Sequence, residues 1–298
     1  MKNRKFIGLA ISCLAFAAAI SIVGCASGGG NAPSGEGSGD ASAATSAPAA
    51  AAPEGPVLTV ATGDPAWPPY VLNDSPESGE GFEAALTYAV AEKMGYSHDQ
   101  VVWVRTGFDE AITPGEKDWD MNIQQFGVTE ERKQAVDFST PYFMPTQSVV
   151  VDAAEGHDKY AKATTLAELD GAVLGVEAGS TSYTWGKTLE QYGVEISILD
   201  SNAVAAEALN VHQIDGIILD TPTAVYMADP EMEELDAAAL IGQIPGSEAD
   251  PLAFLLPKDS ELTAAVSAAI DELAADGTLQ ELTDKWMAEY TIDVPVLG

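Results

Sequence analysis

Beyond residue 25 the chain has two arginines, Arg105 and Arg132, against 46 acids. Arg132 sits in Phe126-Gly127-Val128-Thr129-Glu130-Glu131-Arg132, where Asp120 to Gln125 reads as a strand and Thr129 is a candidate cap for a following helix. That spacing predicts Arg132 one turn into a helix at a strand's carboxyl end, the side on which open α/β sheets bind ligands. A guanidinium there presents two parallel N–H bonds to a carboxylate. A solvated pair with Glu130 or another nearby acid explains the same position equally well.

Three other segments carry similar double readings. Asp220 closes the run Gly216 to Leu219 and precedes Thr221-Pro222, so its carboxylate suits an ammonium group, yet an Asp before a proline-bearing first turn is also an ordinary helix start. Gly179-Ser180-Thr181 follows the run Ala172 to Val176 and opens a helix, where N–H groups and hydroxyls gather round an anion or merely cap. Asp64-Pro65-Ala66-Trp67-Pro68-Pro69-Tyr70 is too rich in proline for regular structure. It is a shaped loop whose Trp67 stacks on a ligand or, with Tyr70, covers the core.

Catalytic signatures are thin. The chain has no phosphate-binding Gly-Lys-Ser/Thr loop and no Gly-x-Ser-x-Gly elbow, and its three histidines, His98, His157 and His212, stand far apart without metal-ligand spacing. Neither a cofactor nor a metal is expected.

The elements that must position these residues alternate. Val57 to Ala61 reads as a strand, a helix follows with Phe82, Leu86, Val90 and Met94 on one stripe, and Val101 to Val104 reads as the next strand. The pattern continues through Gln147 to Val151, Ala172 to Val176, Val194 to Leu199, Gly216 to Leu219 and Leu252 to Leu256. Thr165 with Glu168 forms a capping box, and two helices are predicted over Ser260 to Ala275 and Thr278 to Tyr290. This is α/β grammar over some 240 residues, enough for two modest lobes.

The first quarter of the chain differs. Lys2, Arg4 and Lys5 precede an apolar run from Phe6 to Val23 that ends in Gly24-Cys25, so residues 1–24 read as a secretory signal. The small residue before Cys25 resembles a lipobox, which implies an acylated N-terminal cysteine; an uncleaved anchor helix is the alternative. Cys13 lies inside the signal, so no disulfide pair survives cleavage. Residues 25–55 are nearly all Gly, Ser, Ala, Pro, Thr and acids, a flexible tether spanning about 30 Å. Cleavage takes the net charge from -33 to -36 because it removes three cations and no acid. Such a surface argues against nucleic acid and against anionic headgroups, leaving the membrane to be met through the lipid on Cys25.

In order along the chain, the Asp64 to Tyr70 loop, Gly81-Phe82-Glu83, Val128-Thr129-Glu130-Glu131-Arg132, Asp137-Phe138-Ser139-x-Pro141-Tyr142, Gly179-Ser180-Thr181, Asp215 to Asp220 and Asp276-Gly277-Thr278 resemble the bacterial extracellular solute-binding proteins of family 3. The resemblance runs from about Val57 to Tyr290. It implies a two-lobed clamshell of the type II periplasmic-binding-protein kind with two crossover strands. The expected solute-binding domain covers residues 56–298, with one lobe over 57–145 and 250–290 and the other over 146–249.

The resemblance further implies capture of a free amino acid and its delivery to the permease of an ABC importer, by an extracytoplasmic, lipid-anchored monomer. Carried across residue by residue, it makes Arg132 the α-carboxylate clamp, Asp220 the α-ammonium partner, and Ser180 and Thr181 the second-lobe donors. Asp64, Trp67, Phe108, Gln124, Gln125 and Gly127 fall where relatives line the side-chain pocket. Two departures stand out: Ala84-Ala85 follows Glu83 where relatives usually keep an acid, and Gln124-Gln125 replaces a stretch commonly richer in serine. The second favours a polar or cationic amino acid. The alternative is an enzyme, since relatives of this fold include cyclohexadienyl dehydratases and Glu177 is an acid available for proton transfer.

Overall fold

The computed structural model describes residues 55–232, 234–291 and 293–298, so the expected signal, Cys25 and nearly all of the expected tether lie outside the described residues. β1 (Leu58–Thr62) is buried almost throughout, as a central parallel strand covered on both faces must be. α1 (Phe82–Lys93) places Phe82, Leu86 and Val90 on one buried stripe against it. β2 (Val101–Arg105) and β3 (Met121–Asn122) flank β1 in parallel, with α2 (Phe108–Ile112) between them in sequence, and β4 (Val136–Phe138) lies at the far edge.

The chain then crosses to a second sheet. All six residues of β5 (Gln147–Asp152) are buried at its interior. β6 (Val173–Glu177), α3 (Thr181–Leu189), β7 (Glu195–Leu199), α4 (Asn202–Asn210), β8 (Gly216–Asp220), α5 (Thr221–Met227) and β9 (Ala238–Gln243) complete the order β7-β6-β8-β5-β9. The second crossing brings β10 (Leu255–Pro257) back between β3 and β4, antiparallel to both, and α6 (Thr263–Asp276) and α7 (Thr278–Trp286) follow. Val266, Ile270 and Leu273 of α6 join the α1 stripe in one apolar cluster, while Val149, Leu174, Val176 and Ile218 centre another under the second sheet. Two sheets with separate cores make this a two-lobed α/β fold. After α7 the tail returns to the second sheet, where Leu297 N–H donates to Gln243 at 2.9 Å.

Several local expectations are corrected. The strand predicted over Asp120 to Gln125 is only Met121–Asn122, because Gln125 turns into the left-handed region at φ 52°. The helix expected after Thr129 is a single 3₁₀ turn, Arg132–Gln134, whose N-cap position is Glu131 and not Thr129; Thr129 Oγ1 still accepts the Arg132 N–H at 3.1 Å. The Thr165–Glu168 capping box likewise forms on one short turn, Leu166–Leu169. β4 and β9 were not anticipated: the first is three residues long and the second begins with two alanines, so neither carries a strong alternating pattern.

Candidate functional site

The carboxyl ends of strands from both sheets face one cleft. The first sheet contributes Thr62 at the end of β1 and Gln124 and Gln125 beyond β3, with Phe108 opening α2. The second contributes Glu177 at the end of β6, Ser180 and Thr181 at the start of α3, Asp200 to Asn202 after β7, and Asp220 at the end of β8. The cavity measures about 110 Å³. A water needs about 10–15 Å³ by the same measure, so one small polar solute fits.

Eight of the ten residues singled out from sequence line this cavity: Asp64, Trp67, Phe108, Gln124, Gln125, Ser180, Thr181 and Asp220. Gly127 and Arg132 do not. Arg132 is only 8% exposed, and its guanidinium lies behind the wall, donating from Nη1 to the Gly127 carbonyl at 2.6 Å and from Nη2 to the Gly179 carbonyl at 2.7 Å. Its Cζ rests 5.3 Å from the Phe108 ring centroid. The Gly179 bond crosses from the first sheet's lobe to the second's, and so does Tyr70 Oη to Asp220 Oδ1 at 2.8 Å. Gly127 permits the same close approach: a Cβ there would stand 2.8 Å from Thr181 Cγ2.

The double readings resolve into double duties. Asp220 caps α5, its Oδ1 accepting Thr223 N–H at 3.1 Å, and also faces the cavity. Ser180 caps α3, accepting Tyr183 N–H at 3.2 Å, and lines the wall. Tyr70 is fully buried yet reaches across to Asp220, while Trp67 packs against the second lobe's apolar cluster at the cavity edge. Gln125 lines the cavity, but its Nε2 is held by Glu83, which also accepts the Gln125 N–H at 2.9 Å and the Tyr142 hydroxyl.

Asp64, Glu177, Asp200 and Asp220 are all on the wall, and among the described residues no lysine, arginine or histidine is. Burial pushes the Glu177 carboxyl up to about 7, against lowering by Asn202 and Arg132. Burial also raises Asp220 and lifts Glu83 to about 7, the latter held back by its bonds to Tyr142 and Gln125. Desolvation lowers Arg132 to about 10, still charged at neutral pH, with Asp250, Glu131 and Glu177 sustaining the cation. Two polar atoms at the cleft, Thr62 Oγ1 and Gln124 Oε1, are buried without a partner among the described residues, which suits a polar guest.

Sequence reasoning passed over Asp200, Ser201 and Asn202 as wall residues. They follow directly on β7 where Asp220 ends β8, so the strand-end rule that marked Asp220 marks them too. Asn202 Nδ2 donates to Glu177 Oε2 at 3.1 Å and orients it. Glu83 and Tyr142 were noted in separate motifs, and only the fold shows that they meet.

A family model described as bacterial extracellular solute-binding proteins, family 3, matches residues 58–289. The L-cystine-binding protein TcyJ of Escherichia coli K12 is 29% identical over 222 residues, covering 74% of this chain and 79% of that protein. A probable histidine-binding protein of Campylobacter jejuni is 30% identical over 213 residues, covering 70% and 77%. Among solved structures, an ancestral arginine-binding protein bound to arginine superposes with a TM-score of 0.64 at 28% identity, covering 77% of this chain and 97% of that one.

Proposed function

This chain belongs to the bacterial extracellular solute-binding proteins, family 3, and from that premise we propose that it captures a free cationic or polar amino acid between its lobes and hands it to an ABC permease. The observation that carries the ligand class is a wall with four carboxylates and, among the described residues, no cationic side chain. A zwitterion with a second positive charge is stabilised by such a wall, and an anion is repelled.

In this reading the ligand's ammonium meets Asp220, and its carboxylate takes the place of the Gly179 carbonyl on Arg132, helped by Ser180 and Thr181. Each charge-assisted bond is worth about 1.5–3 kcal/mol. The distal group then lies among Asp64, Glu177 and Gln124, with Trp67 and Phe108 against its methylenes. Gln125 contributes chiefly as a wall shaped by Glu83. The ligand's own bonds to both lobes, Arg132 on one side and Ser180, Thr181 and Asp220 on the other, tie closure to occupancy, and the closed form is what the permease reads. We assign the working form to a monomer with lobes over 57–145 plus 250–290 and 146–249. It is exported by residues 1–24 and held by two acyl chains on Cys25 and the tether to residue 55.

The dehydratase alternative draws on Glu177, whose proton affinity near neutrality suits a general acid. A wall of carboxylates disfavours the dianionic substrate such chemistry requires.

A thermal-shift screen of the full chain against the common amino acids, ornithine and cystine tests the proposal, with prephenate as the enzymatic control. A ligand at a hundred times its Kd adds about 2.7 kcal/mol of stability. The largest shift is expected from a cationic amino acid. No shift with any amino acid, or turnover of prephenate, would overturn the reading.

A further inference from the structure

Away from the cleft, two histidines 55 positions apart meet. The imidazoles of His157 and His212 stack with ring centroids 3.8 Å apart and planes 8° from parallel. His212 Nδ1 stands 2.6 Å from Oδ2 of Asp152, the last residue of β5. One potential ligand atom from each of the three lies within 4.8 Å of the others. We propose that Asp152, His157 and His212 form a binding site for a divalent transition-metal ion of the zinc class.

The donor chemistry selects the ion. Two imidazoles and a carboxylate suit zinc, nickel or copper, whereas calcium and magnesium take oxygen ligands. The carboxylate is prepared for the role: Asp152 is 3% exposed, and its other oxygen, Oδ1, accepts the Ala154 N–H at 2.9 Å, fixing its direction. Both histidine backbones are also anchored, His157 N–H on the Ala154 carbonyl and His212 N–H on the Leu209 carbonyl, each at 2.9 Å. The two rings are exposed, which leaves an entry path and room for water to complete the coordination. Metal bonds of about 2.0–2.2 Å at tetrahedral angles bring ligand atoms roughly 3.3–3.6 Å apart. His212 Nδ1 and Asp152 Oδ2, hydrogen-bonded at 2.6 Å, are closer than that, and all three ligand atoms lie within 4.8 Å of one another, so an ion would displace the proton between them and turn the exposed rings out of their stack.

The site and the cleft lie at opposite ends of one strand pair. In the antiparallel register of β5 and β8, Gln147 sits opposite Asp220 at the cleft end, while Val151 sits opposite Gly216 next to Asp152. None of the three metal-site residues lines the cavity. An ion would therefore clip the turn after β5 to the turn before β8 without touching the bound solute.

The test is calorimetric titration of zinc chloride into the full chain in a non-chelating neutral buffer. One saturable site is expected, and His157→Ala and His212→Asn should each weaken it more than about a hundredfold, beyond the about 10–100-fold cost of losing an outer-shell partner. Asparagine is chosen because His212 has φ 58°, a conformation asparagine tolerates. His98→Ala, which alters a histidine stacked on Tyr88, should leave affinity unchanged. A measurement needing no variant uses cobalt(II), which should broaden the ring proton signals of two histidines and spare the third. Zinc uptake that survives both site variants, absence of a saturable site, or equal broadening of all three histidines would overturn the proposal.

Discussion

Glu177 and Arg132 illustrate how burial sets residue chemistry in this cleft. Glu177 carries a carboxyl raised to about 7 by desolvation. A bound cation favours its ionised form, so affinity for a cationic amino acid should be full above about pH 7 and fall as pH drops, by up to about tenfold per unit. Calorimetry between about pH 5.5 and 8 checks this. Glu177→Gln should flatten the profile and weaken arginine or lysine about tenfold or more while sparing neutral ligands. Arg132→Ala should abolish measurable amino-acid binding, since a desolvated carboxylate would be left without its partner. Arg132→Lys should recover little, because a single ammonium cannot reproduce the two-pronged bond. Binding retained in Arg132→Ala would place the carboxylate elsewhere.

At the scale of elements, the start of α1 and the turn after β3 act as one unit through Glu83. Its carboxyl is raised to about 7 in the folded chain from an ordinary 4.5. The folded state therefore binds more protons between those values, and this contribution to stability is fully present below about pH 4.5 and lost as pH rises through about 7. Melting curves should show Glu83→Gln with a weaker decline over that range than the unaltered chain. The second element-level contact is Gly127 against the start of α3. Gly127→Ala drives a Cβ towards Thr181 Cγ2, and overpacking of this kind costs about 1–3 kcal/mol in the closed form. Ligand affinity should fall accordingly, about five- to 150-fold, and Thr181→Ser on the same background should restore most of it by removing the methyl group. Loss without recovery would show that the glycine serves some other purpose.

Over the whole molecule, the formal charge of -33 makes the surface an attractor for cations. Association of a cationic amino acid should slow as salt rises from about 0.01 to 0.15 M, where the screening length falls from about 30 to 8 Å, while a neutral amino acid should be nearly indifferent. Stopped-flow measurement of both ligands checks this. Among the described residues no helix is long and apolar enough to cross a membrane.

Much of this plan is local and was therefore legible in the amino-acid order. Alternating apolar patterns mark the α/β class, because each strand and helix must bury a face whatever its neighbours are. Strand-end residues such as Asp220 and Ser180 show themselves by preceding helix starts. Contacts distant in sequence were not legible. Periodicity places Arg132 beyond a strand but says nothing of the Gly127 and Gly179 carbonyls that hold its guanidinium behind the cavity wall. Nor does it bring Glu83 to Tyr142, or His157 to His212 beside Asp152. Element type follows from near-neighbour sterics and amphipathicity, which a linear pattern carries. The site depends on which strand ends and turns become adjacent when two sheets close on one another, and only the tertiary fold decides that.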